Sequence, residues 1–262
     1  MSKASKRVGI QIIMIVFIIF FFQCEDWICH MIGISSSWET DMTTVFSQKI
    51  FHGLYSRNKD ISIVINACIS IIMFNILYGS FIYDELQGMG IYHFIRYRTR
   101  KKWFAQKIIK LLCNTFVFHA VYIGMQYVFS LKLSNESVNF SNLGLLISYT
   151  LYFTILCFMT SMLTNILSVR FGRVIAFIVA YAVLVIMRGL ILSVGEVALL
   201  GTNLKVKSMI PINLTLDEEG YFVADTYLSL SVTALFCYIL IVVCYRIIRK
   251  ENIGLLIEEK HI

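Results

Sequence analysis

Residues 144–167 read GLLISYTLYFTILCFMTSMLTNIL, a run that no Asp, Glu, Lys or Arg interrupts. About 30 Å of hydrocarbon is crossed at about 1.5 Å per residue, so a spanning helix needs about 20 mostly apolar residues. This run is long enough. Lipid offers backbone groups no partner, which leaves helices or closed barrels as the only spanning structures. A barrel shows many short alternating segments, and this stretch is continuous. Thr150, Thr154, Cys157, Ser161 and Asn165 form a stripe of small polar groups along it at helical spacing. The stripe fits tight helix–helix contact, the favoured reading, and also the lining of a substrate path.

Five further runs flank this one, at 8–24, 61–83, 111–131, 174–192 and 226–245. The expected fold is all-α: a polytopic membrane protein with six transmembrane helices in a single domain, 1–262. Composition agrees. Of 262 residues, 58% are apolar, 15% are charged and one is proline, whereas a soluble domain has about 45–50% apolar and about 25% charged residues. These values exclude a soluble globule, a disordered chain and a disulfide scaffold.

Most of the 23 Lys and Arg fall on one side of such a bundle: Lys3, Lys6 and Arg7, the loop 84–110, Arg170 and Arg173, and the stretch after Tyr245. Basic loops stay in the cytoplasm, so both termini are expected there. The net charge of +7 then averages two unlike faces, and the basic face suits an anionic inner leaflet rather than nucleic acid. Lys3, Lys6 and Arg7 before an apolar core also fit a signal peptide. No small-x-small cleavage site follows, so an uncleaved anchor is expected.

Polar residues inside the runs are few. Arg188 is the one charge within a span, and it either snorkels to the interface or pairs with Glu196 near an exit. Both are candidate path residues. Asn66, Asn75, Asn114 and His119 read as hydrogen-bond partners between helices. Five of the seven cysteines lie in spans, and a bridge between Cys24 and Cys29 stays open. No Cys/His cluster has metal-ligand spacing, so no metal is expected. No phosphate loop, HExxH or GxSxG is present, and no acid falls inside a span to couple protons or sodium. The chain is expected to be no enzyme and to lack an energy source of its own.

The outer segment 25–60 carries Ser36 and Glu39 as a capping box. Trp38, Met42, Val45, Phe46, Ile50 and Leu54 follow it near helical spacing. An amphipathic helix resting on the outer leaflet is the favoured reading, and a cap over an exit or a contact for an external peptide is the other. A second outer segment, 193–225, holds the single proline, Pro211, and the acids Asp217, Glu218 and Glu219.

The loop 84–110 reads DELQGMGIYHFIRYRTRKKWFAQKIIK. Its first half carries Leu86, Met89, Ile91, Phe94 and Ile95, as a short helix on the inner membrane surface would. Its second half is basic and leads through Trp103, an interfacial aromatic, into the third span.

Glu85, Gly88, Arg96, Arg100, Lys101, Trp103 and Lys107 resemble the corresponding loop of small six-helix ABC-2-type permeases. There an acidic residue and a glycine precede an Arg, a Ser-Arg-x-x-Trp-like run and a Lys. This chain has Thr99-Arg100-Lys101-Lys102-Trp103 in place of that run. The order of spans and loops is similar over nearly the whole chain, and the residue match covers about 25 positions. The resemblance implies ABC-2-type exporter architecture, in which residues 85–95, with Gly90 and Phe94, form a coupling helix that docks on a cytosolic ABC ATPase subunit. Residues 96–107 then anchor it. It further implies a second permease subunit, identical or paralogous, with ATP and Mg bound by the partner ATPase and no cofactor in this chain. The expected role is a path through a bacterial cell membrane for an amphipathic substrate: an antimicrobial peptide, a lipid-like compound or a drug. The alternative is a non-transporting membrane immunity or sensory protein that binds a peptide or partner protein.

Overall fold

The computed structural model describes residues 61–86, 100–134, 140–194 and 224–250. Four helices account for nearly all of them: α1 (Ile61–Tyr78), α2 (Arg100–Ser134), α3 (Phe140–Val194) and α4 (Ala224–Lys250). A turn at residues 79–80 follows α1, and residues 81–86 resume as helix. Among the described residues, three stretches are long and apolar enough to cross a membrane: Arg100–Met125, Leu146–Met187 and Thr226–Arg249. Among the described residues the chain is all helix, as an all-α membrane protein requires. The run 8–24, the outer segment 25–60, Cys24, Cys29, Pro211 and both chain ends lie outside the described residues.

The chain groups into two compact units. One holds Met1–Met73, Val117–Leu151 and Leu216–Tyr221. In it His119 is fully buried and meets Phe118 edge-on, with ring centroids 5.2 Å apart. Thr150 turns its hydroxyl back onto the Leu146 carbonyl at 2.8 Å, which satisfies a polar side chain without leaving its own helix.

The other unit holds Phe74–Phe116, Tyr152–Thr215 and Phe222–Ile262. Its apolar core also holds buried polar side chains, and its surface is more apolar than that of a water-soluble domain. Asn75, Thr160, Ser161, Asn165 and Ser168 are buried, while Leu112, Val174, Ile178, Val185 and Leu235 are exposed. In water such an arrangement loses on both counts. In hydrocarbon it is the favourable one, because apolar side chains face the lipid and polar ones find partners inside.

The runs 144–167 and 174–192 are the two arms of α3. The backbone between them leaves helical geometry at Gly172, with φ 76° and ψ 169°. The Asn75 side-chain nitrogen lies 2.9 Å from the Thr160 hydroxyl and 3.2 Å from the Tyr181 hydroxyl. On a straight helix those two residues stand roughly 30 Å apart. The chain therefore folds back at Gly172, and both arms meet α1 at one residue.

Two boundaries differ from the sequence reading. The run 61–83 is broken at Gly79, whose N–H still reaches the Asn75 carbonyl at 2.7 Å. A Cβ there would collide with that same oxygen, so only glycine fits. α2 begins at Arg100 rather than near Leu111. The stretch RKKWFAQK is rich in good helix formers, and it buries Trp103 and Phe104 while exposing Lys101 and Lys102.

Candidate functional site

The basic loop departs from a short helical segment, residues 81–86, that is bonded to its neighbours from both sides. The first N–H groups of any helix lack intrahelical partners. Here the Asn165 side-chain oxygen, on the first arm of α3, accepts from Ile82 N–H at 2.9 Å and Tyr83 N–H at 3.3 Å. A side chain from another helix thus does the work of an N-cap. The Asn165 amide nitrogen donates to the Ser161 carbonyl at 2.8 Å, which fixes its orientation.

Just beyond the α3 turn, Arg173 closes the other flank. Its Nε donates to the Ser80 hydroxyl at 2.7 Å, and its Nη2 binds the Asp84 carboxylate. Ser80 in turn donates to Asp84 at 3.1 Å. One guanidinium therefore ties the turn, at Ser80, to the next segment, at Asp84.

On the opposite flank Glu85 pairs with Lys107 of α2. The two side chains are only 23% and 15% exposed, so the pair is shielded better than a surface bridge. Lys107 also lies over the rings of Phe81 at 5.7 Å and Trp103 at 6.0 Å, and Lys110 lies over Phe81 at 5.4 Å. Such cation–π contacts add about 0.5–1 kcal/mol each at exposed sites. Lys107→Ala is expected to cost about 1–3 kcal/mol, because it strands a partly buried carboxylate and removes both ring contacts. A double-mutant cycle with Glu85→Gln, read by thermal unfolding in detergent, should return a coupling energy of that sign.

Arg100, at the first position of α2, donates to the Arg249 carbonyl at 3.2 Å, capping one of the orphan carbonyls at the end of α4. Phe104 and Tyr245 pack tilted 5.6 Å apart on the same α2–α4 contact.

Of the residues the sequence singles out, Glu85, Trp103 and Lys107 come together at the base of the loop. Arg100 caps α4 and Lys101 is exposed. Trp103 is fully buried, with Lys107 over its ring. Gly88, Gly90, Phe94, Arg96 and Glu196 lie outside the described residues, as does the side chain of Arg188. The sequence reading misses Ser80, Asp84, Arg173 and the capping role of Asn165. The Gly79-Ser80 dipeptide inside an apolar run is the one local signal for the break. Against family models, curated proteins and solved structures, the chain matches none.

Proposed function

We propose that the chain is the membrane-spanning permease subunit of an ABC exporter, driven by a separate cytosolic ATPase that docks on the loop 84–110. The observation that supports this reading is the double attachment of residues 81–86, to α2 through Glu85–Lys107 and to α3 through Asn165 and Arg173. A push delivered to residues 81–86 is passed to both helices, as coupling by rigid-body motion needs. Lys101, Lys102 and the residues between 86 and 100 supply the docking face. The ATPase binds ATP and Mg, and the permease pairs with a second permease subunit to enclose a path for an amphipathic substrate in a bacterial cell membrane.

Co-purification of the full chain from native membranes tests the proposal. A nucleotide-binding subunit should come with it, and the permease should raise that subunit's hydrolysis. The triple variant Arg96→Glu, Arg100→Glu, Lys101→Glu should insert and fold yet lose that stimulation by about tenfold or more, the scale of one to two lost charged contacts. Lys101→Glu alone keeps the Arg100 cap on α4 and separates docking from folding. Recovery of a peptide or partner protein in place of any ATPase favours the immunity or sensory role, and stimulation that survives the triple variant overturns the docking assignment.

A further inference from the structure

In the unit that contains the α3 turn, a cleft of about 280 Å³ opens among α1, the turn at 79–80 and both arms of α3. Its rim is apolar: Ile76, Val174 and Ile178 line it and are 56%, 71% and 62% exposed. Phe177 extends the same wall.

The polar liners ask nothing of an occupant. Asn75 is bonded to Thr160, Tyr181 and Ser161. Thr164 donates to its own helix at the Thr160 carbonyl, and Ser80 is taken up by Arg173 and Asp84. With those groups satisfied, the interior accepts hydrocarbon. In a bilayer such a cleft does not stay empty, because bare walls lose their dispersion contacts and water finds too few polar partners to remain.

Arg173 lines the same cleft and differs from the other liners. Its side chain is 59% exposed. A guanidinium carries five N–H donors, and among the described residues Arg173 uses only Nε and Nη2. Arg170, also exposed, stands on the other side of Gly172. The turn therefore stays net positive after Asp84 is counted. The charge pattern puts this turn on the cytoplasmic side, where anionic lipids gather.

We propose that this cleft binds an anionic phospholipid, with its phosphate on Arg173 and one acyl chain laid along Ile76, Val174, Phe177 and Ile178. A planar guanidinium matches a phosphate with paired hydrogen bonds, and the apolar rim selects a lipid over a free anion. The site stands whether or not an ATPase docks on the loop.

Native mass spectrometry of the full chain, purified in detergent and stripped of lipid, tests this directly. Phosphatidylglycerol and phosphatidylcholine with identical chains are offered separately and the retained lipid is counted. Retention of phosphatidylglycerol should exceed that of phosphatidylcholine by about fivefold, the ratio that one basic residue near an anionic surface gives. Arg173→Gln should abolish that preference. Because it also breaks the contact with Asp84, Ile178→Trp serves as the second variant: it fills the rim, leaves the arginine contacts intact and should lower retention of both lipids. Thermal midpoints report folding in each case. Equal retention of the two lipids, unchanged retention in Ile178→Trp, or displacement by millimolar inorganic phosphate overturns the proposal, the last by making the site one for free anions.

Discussion

Gly172→Ala should destabilise the fold by about 1–3 kcal/mol, and Gly172→Val by more. The backbone there has φ 76° and ψ 169°, a region that is open to glycine and costs other residues about that much. A Cβ at this position meets nothing within 4 Å, so the cost is conformational strain rather than collision. Relief of the strain would require the chain to straighten, which would carry Tyr181 away from Asn75 and Arg173 away from Ser80 and Asp84. Reversible unfolding of the full chain in mixed detergent is the measurement, with Phe171→Ala as a neighbouring control. Phe171 is 56% exposed and its replacement should matter little. An alanine variant as stable as the parent would mean that the two arms are not folded back at this residue.

Asn75→Leu should cost about 2–4 kcal/mol. The amide donates to Thr160 at 2.9 Å and Tyr181 at 3.2 Å, and it accepts from Ser161 at 2.7 Å. Interhelical hydrogen bonds in membranes average about 0.6 kcal/mol and reach about 1.7. Three on one residue, two of them to buried side chains, give the stated range once the stranded partners are included. Leucine keeps the branching at Cγ and removes every donor and acceptor, but its methyl groups are bulkier, so part of the cost is overpacking. Tyr181→Phe removes one of the three and should cost about 0.5–1 kcal/mol on the same scale. A leucine variant that unfolds with the parent would show that α1 is held by packing alone.

The helical arms were legible because lipid is a simple solvent: it imposes a length, which both 144–167 and 174–192 meet, and it disfavours charge, of which 144–167 has none and 174–192 only Arg188. Asn75 and the stripe from Thr154 to Asn165 were legible as helix contacts for the same reason, since a polar group in an apolar run needs a partner. The identity of the partner was not. Asn165 serves two backbone N–H groups, and a backbone acceptor or donor leaves no trace in residue type. Arg173 read only as one more inner-side charge, because its pairing with Asp84 depends on the fold-back at Gly172. The break at Gly79 was hidden by Phe81, Ile82 and Tyr83, which continue the apolar pattern past it. For the loop residues, composition revealed a basic face but not that Lys107 is held by Glu85.

The bonds made by Asn75 also set a schedule for synthesis. Thr160 lies 85 positions later in the chain and Tyr181 lies 106 later. At about 5–20 residues per second, the ribosome reaches Thr160 roughly 4 to 17 s after Asn75. Throughout that interval α1 carries an amide whose final acceptors and donors have not been made. A nascent chain halted inside this window leaves uncovered an amide that the finished protein buries.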